Sequence, residues 1–411
     1  MFIQDIKELH PATAKLLATR MIRSIGQGIM IVDFTLYLHA MHWKGSSIGI
    51  VLSGAGLFGA FLSLIIGVSS DRLRRKPFLL VYQLILIISC IIAMITSQPW
   101  LIGVSAVVGG FGRGANGAAG PFSPAEQAWL AENIKPSKRG LIYSMNNALG
   151  FFGTALGALL AILPAVWSPW FSGATSYRPL FALVGILALI DLSLILATEE
   201  GYKGNKKRNK DNVHKGSHTI SKKENHELFK LVFANIFNGA AIGMTGPLIA
   251  YWFALKFHVG PDFIAPVMAT TFLVTGIASL ITGKLTEHIG IVNSVIFQRT
   301  FGLIMLLFLP IIPFYWLASL VYLLRSAFNR STAGARQALA IGLVRDERRG
   351  LATSLNTVSM QLPWAIGPTI TGYFFQEGQL ILPFYIAALL QGAYIIIYKN
   401  FFSGYETPQD E

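Results

Sequence analysis

Asp33, Arg113, Glu126, Asp191, Arg325, Arg330 and Arg336 are ionisable residues set inside long apolar stretches of the chain. A charge in such surroundings is costly, so each is a candidate for function. Asp33 is a lone acid suited to take up a proton or meet a solute, because burial disfavours a bare carboxylate. Arg113 is a fixed cation that can shift the charge balance of a nearby acid as it approaches or withdraws, and Asp33 is its expected partner. Glu126 and Arg336 carry opposite charges and could form or break an ion pair; equally, each could pair locally, Glu126 with a base of the following loop. Arg325 and Arg330 add positive charge. Gln27, Asn116 and Asn238 are polar candidates for solute contact or gating, as are Asn146, Asn147, Asn235, Asn356 and Gln361. Such residues can instead bond between helices, worth about 0.6 kcal/mol each. Arg20 and Arg23 lie nearer the end of their run and are expected to snorkel out of it. Asp191 fits a harmless contact between helices equally well. A cavity built from these groups would be slightly rich in arginine and would suit an anionic or zwitterionic solute.

The elements that must position these groups follow from composition. The chain has 411 residues, 53% hydrophobic and 13% charged, with a mean hydropathy of +0.55. Soluble domains average about 25% charged residues, so this is a membrane protein. A helical span needs about 20 apolar residues. Backbone groups in lipid must bond within the segment, and the apolar runs are continuous rather than alternating, which selects helices over a barrel. The runs predict twelve helices: 16–39, 46–70, 78–96, 101–131, 140–166, 179–198, 229–255, 263–284, 291–309, 315–343, 350–375 and 380–398. The stretch 199–226 is polar and basic and reads as a linker, dividing the chain into 1–198 and 227–411. The expected fold is all-α, two pseudo-symmetric six-helix bundles.

The net charge of +13 is unevenly placed. Lys and Arg crowd the connectors 72–76, 135–139, 203–223 and 345–349, with Lys284, whereas the alternate connectors hold Lys44, Arg178 and Lys256. Short cytoplasmic loops are enriched in these residues. The rich set, and with it both termini, is expected to be cytoplasmic. The charge is therefore a topology signal, with anionic lipid a secondary partner and no role for nucleic acid. Residues 1–11 lack the layout of a cleaved signal, so the first span is expected to direct insertion.

An internal repeat supports two halves. Arg139-Gly140-Leu141-x-x-Ser144-x-Asn146 recurs as Arg349-Gly350-Leu351-x-x-Ser354-x-Asn356, and Ala125-Glu126-Gln127-Ala128 aligns with Ala335-Arg336-Gln337-Ala338. This register places Glu126 and Arg336 at matching depth. Halves repeated in parallel put a binding site at their interface near the midplane.

Gly67-Val68-Ser69-Ser70-Asp71-Arg72-Leu73-Arg74-Arg75-Lys76, between the second and third runs, resembles the signature loop of the major facilitator superfamily. Arg74 stands where that pattern usually has its second glycine. Arg113-Gly114-Ala115-Asn116-Gly117-Ala118-Ala119 is similar to the helix 4 pattern of the superfamily's proton-driven antiporters, with Asn116 in place of the usual Gln. The resemblance implies proton coupling through Arg113, and a conformational role for the loop carried by Gly67, Asp71, Arg72 and, more loosely, Arg75. Gly153-Thr154-Ala155-Leu156-Gly157-Ala158 lacks the proline of the exporter helix 5 element, which weakens the implied direction; Gly367-Pro368 lies on the eleventh helix instead.

The expected function is secondary active transport of a small organic solute by alternating access, coupled to protons, as efflux. Organic-anion import is the alternative; a lipid flippase or a transport-silent sensor is a further one. The expected setting is a monomer in a bacterial inner membrane. No enzyme signature competes. Gly109-Gly110-Phe111-Gly112 neither follows a strand nor ends in Gly-Lys-Ser/Thr. The eight His lack metal spacing, and the single cysteine, Cys90, rules out an intrachain disulfide. No cofactor or metal is expected.

Overall fold

The computed structural model describes residues 11–70, 75–113, 125–126, 129–130, 139–200, 218–345 and 348–404, and among them there are helices and no strand. The helices are α1 (Pro11–Ala40), α2 (Gly45–Ser70), α3 (Lys76–Ile95), α4 (Pro99–Gly109), α5 (Arg139–Leu160), α6 (Leu163–Val166), α7 (Arg178–Leu196), α8 (His218–Thr245), α9 (Ile249–Phe257), α10 (Pro261–Ile289), α11 (Ile291–Phe308), α12 (Tyr315–Ser331), α13 (Ala333–Gly342), α14 (Arg349–Gln376) and α15 (Leu382–Phe402). Proline opens α4, α7, α10 and α15 within their first two residues, where its missing N–H costs nothing.

Several predicted helices are broken, each for a local reason. The run 101–131 is not one helix. It ends at Gly109, and Gly110 and Gly112 take left-handed φ of 76° and 71°, a region that glycine enters without penalty. The chain is helical again at 125–126 and 129–130. The run 229–255 divides at Gly246-Pro247, because proline cannot supply the next helical N–H. It also starts earlier, at His218, so the last part of the expected linker is helical. The run 315–343 divides at Thr332, and 140–166 divides after Leu160.

Among the described residues, eight helical segments are long and apolar enough to cross a membrane by length and composition. Side chains such as Leu280, Ile281, Leu389 and Ile396 point outward, as a lipid-facing surface requires. Trp100, Trp170 and Trp316 are exposed at one end, where aromatic rings belong at a membrane interface.

The core has a shape that decides the rest. At the end with few basic connectors, one apolar cluster runs through both halves, joining Phe34, Phe111 and Phe181 to Trp252, Phe253 and Phe384. At the basic end it splits. One cluster belongs to the first half (Leu16, Leu79, Trp129, Ile195) and another to the second (Leu231, Val295, Leu339, Tyr398). The halves meet mainly through α2 on α14 and α5 on α10. Along α2, Ser46 Oγ donates to Gln376 Oε1 at 2.6 Å, and Thr369 Oγ1 donates to Ser53 Oγ at 2.7 Å. Gly49 lies so close to Pro368 that an added Cβ would overlap its carbonyl. The His39 and Tyr251 rings meet across the halves, tilted, with centroids 5.1 Å apart. Among the described residues the core is shared at the sparse end and divided at the basic end.

Candidate functional site

Between the halves lies a cavity of about 210 Å³. From the first half α1 supplies Arg23 and Gln27, α3 supplies Gln83, the unwound turn after α4 supplies Arg113, and α7 supplies Asp191. From the second half come Arg299 of α11, Arg325 and Arg330 of α12, Arg336 of α13, and Gln361 and Trp364 of α14.

In the first half one buried ion pair stands at the cavity edge. Arg23 Nη2 lies 2.8 Å from Glu126 Oε2, and the two side chains are 3% and 2% exposed. Gln83 Nε2 donates to Asp191 Oδ2. Arg20 is buried beside this pair, with its guanidinium against Gly150. Arg20 and Arg23 therefore do not snorkel; a carboxylate inside the bundle holds Arg23 in place. Glu126 likewise meets Arg23 rather than Arg336, because α1 is its neighbour within the half and the second half stands across the cavity. Asp191 makes the expected contact between helices, α7 to α3 through Gln83, and also lines the cavity.

Arg113 follows the left-handed turn at Gly110, and its guanidinium folds back against Gly110 and Gly59. Its Nη2 donates to the Val107 carbonyl at 3.4 Å. Asp33 is not its partner. Asp33 is 1% exposed, belongs to the sealed end, and neither carboxyl oxygen has a hydrogen-bond partner among the described residues. An unpaired buried carboxylate is expensive, so this side chain is suited to carry a proton.

The second half is arranged differently. Arg299 Nε donates to Thr332 Oγ1 at 3.2 Å and its guanidinium lies over the Tyr394 ring. Arg325 Nη2 donates to Thr245 Oγ1 at 3.0 Å. Arg330 Nη2 donates to Tyr322 Oη at 3.3 Å, and Arg336 Nη1 faces Met360 Sδ. Among the described residues none of these arginines has a carboxylate partner. The charges of Arg336 and Arg325 fall on Arg299, and that of Arg330 on Arg325.

The remaining sequence candidates distribute as follows. Gln27 and Gln361 line the cavity. Asn238 is buried against Met360. Asn235 donates to Asn356 Oδ1 at 2.9 Å, a bond between α8 and α14 within one half. Gly67 lies on the last turn of α2, and Asn116, Asp71 and Arg72 lie outside the described residues. At the foot of α3, the Arg75 backbone N–H donates to Glu200 Oε1 at 2.6 Å, while Lys76 Nζ donates to the Leu196 and Thr198 carbonyls. A carboxylate at a helix N-terminus is favourable, so these contacts fasten α3 to the end of α7 within the first half. In the second half Glu224 accepts from Arg345 Nε and Arg348 Nη1, each at 2.8 Å. Arg299, Gln83 and Trp364 escaped the sequence reading. For Arg299 the signal was present: an ionisable residue inside the run 291–309.

Helices of membrane length packed around a chamber that carries buried charges are those of an integral, multi-pass membrane protein. The family model of the Major Facilitator Superfamily matches residues 16–229 and 231–410, and the chain belongs to that superfamily. An uncharacterized membrane protein of Saccharomyces cerevisiae is 22% identical over 405 residues, covering 91% of this chain and 90% of that protein. The multidrug resistance protein MdtH of Proteus mirabilis is 24% identical over 145 residues, 35% of this chain and 31% of that one. Among solved structures, the D-xylose-proton symporter aligns with a TM-score of 0.74 at 15% identity, covering 95% of this chain and 97% of that one. The nucleoside transporter NupG aligns with a TM-score of 0.70 at 13% identity, over 96% and 100%. At these identities the likeness concerns the fold.

Proposed function

We propose that this protein moves a small organic solute by alternating access, coupled to protons, with the basic end and both termini in the cytoplasm. The observation that carries this reading is the core that, among the described residues, is shared at the sparse end and divided at the basic end, with a chamber carrying buried charges between. In this conformation the chamber faces the basic end. Rocking the halves would unzip α2 from α14 and close the basic end. Cytoplasmic placement of that end rests on the Lys and Arg bias of the connectors.

Asp33 is the proposed proton carrier. It sits inside the closed seal, so opening that end would wet it and allow it to ionise. Arg113, at the broken helix, is proposed to respond to solute and to the charge on Asp191 rather than to Asp33. The rigid Arg75–Glu200 corner supports the proposed role of the signature loop in moving the first half as one body. Efflux is the proposed direction, supported by the part-length likeness to MdtH; the arginines of the second half favour organic-anion uptake as a second reading.

The test is flux in proteoliposomes under an imposed pH gradient. Wild-type protein is expected to drive solute movement that Asp33→Asn abolishes, while solute counterflow without a gradient survives. Gradient-driven flux unchanged in Asp33→Asn removes Asp33 from the mechanism. Flux indifferent to pH in both removes the coupling.

A further inference from the structure

The two halves treat charge differently, and the difference has a direction. Glu126 and Arg336 are the matching positions of the internal repeat. In the first half the acid is used up by Arg23 at 2.8 Å. In the second half the matching residue is a base, and no described acid answers it. Arg299, Arg325, Arg330 and Arg336 all line the same cavity, and Arg299, Arg325 and Arg336 are 1%, 8% and 7% exposed. Their partners are hydroxyls, a thioether and aromatic rings. These satisfy some donors and cancel no charge. Arg325 Nε, Arg330 Nη1 and Arg336 Nε are buried donors with no acceptor among the described residues. Clustered cations cut off from bulk water and left without acceptors are unfavourable by themselves. A planar guanidinium fork matches the paired oxygens of a carboxylate or phosphate.

Trp364 stands beside this cluster, and its buried indole N–H also lacks an acceptor. With Phe111, Met30 and Leu187 it gives the chamber an apolar side. On the opposite wall Asp191, bonded to Gln83, is the described acid that lines the space, so a cationic solute would meet one carboxylate against six guanidinium groups.

We propose that the cavity binds a small organic dianion, its oxyanion groups held by Arg299, Arg325, Arg330 and Arg336 of the second half and its carbon body packed against Trp364. This assignment rests on the transporter reading and adds the substrate class to it. Arg325 and Arg336 are the principal ligands, because each lines the chamber, is buried and is unpaired by any described acid. In the first half Arg23 is answered by Glu126, and Gln27 supplies a further polar contact from the facing wall.

The test uses the full chain in detergent or nanodiscs, with thermal stabilisation as the readout, since a ligand that binds the folded state raises its midpoint. The probes are succinate, a hexose 6-phosphate and inorganic phosphate, against the free hexose and tetraphenylphosphonium. Succinate or the hexose phosphate, at up to about 10 mM, is expected to stabilise the wild type, and the free hexose and the lipophilic cation are not. If inorganic phosphate alone stabilises it, the site holds a free oxyanion and the organic part of the proposal is overturned. Arg325→Gln and Arg336→Gln are each expected to weaken the effect about ten-fold or more, with Arg336→Lys intermediate because it keeps the charge and loses the fork. Unliganded midpoints separate loss of binding from loss of fold, and any unstable glutamine variant is replaced by its lysine counterpart. Dianion binding undiminished in both variants, or stabilisation by the cation or free hexose alone, overturns the proposal. Flux of a neutral or cationic solute, insensitive to these arginines, discards the dianion and keeps the transporter. Vesicles that carry no probe of any charge count against both.

Discussion

Glu126 is a residue whose meaning depends on one neighbour. Its pair with Arg23 is buried on both sides, so removing either partner strands the other. Breaking a buried pair costs about 3–5 kcal/mol. Glu126→Gln is therefore expected to lower the thermal midpoint sharply, and Arg23→Gln to do the same. The double variant is expected to lose less than the sum, because it leaves no orphan charge. Additive losses would mean that the two side chains do not act as a pair. The sequence marked Glu126 as ionisable and deep, yet its partner lies far away in the chain. Periodicity places a residue on a face; it does not say which helix stands opposite.

At the scale of elements, the seal is a helix pair in backbone-close contact. Gly49 permits it because its missing Cβ leaves room for the Pro368 carbonyl. Gly49→Leu is expected to hold α2 off α14 and disfavour the sealed conformation. The check is a cysteine at Ser53, in a background where buried Cys90 is replaced by alanine. Its labelling by an impermeant thiol reagent added at the sparse end should rise several-fold, in line with a population shift of about 1 kcal/mol or more. Labelling that stays at the wild-type level would show that the contact is not a gate. The break after α4 is a second element-scale feature. Gly110 at φ 76° lets Arg113 fold back into the chamber. Gly110→Val, a β-branched residue forced into the left-handed region, should cost about 1–3 kcal/mol of local strain and impair transport more than folding. A glycine-rich stretch in a helical run allowed either a packed helix or a break, and only the coordinates chose.

For the whole molecule, the argument is one of sidedness. Cavity residues should be reachable from the basic end in this conformation. A cysteine at Ser63, on the cavity wall, is expected to react with reagent added from that side, and adding a bound solute should slow it. Epitope tags in the linker 201–217 and in the 96–98 connector should report opposite faces of the membrane. Tags on one face would undo the alternation of spans on which the bundle depends.

What the sequence determined alone was the part governed by the solvent. Apolar runs of membrane length must be helices, because lipid offers the backbone no hydrogen-bond partner. Their number, the basic linker and the repeat predict two like halves, and the loop charges predict their orientation. Charges inside the runs stood out for the same reason, and most of those singled out do lie around the chamber. The tertiary structure decided which charges meet. It paired Glu126 with Arg23, set Asp33 in the seal away from Arg113, brought Arg299 to the cavity and left the four cavity arginines of the second half without a described acid. Those outcomes turn on distances between helices remote in sequence, where an angstrom or two separates an ion pair from an unmatched charge, and no local pattern encodes that distance.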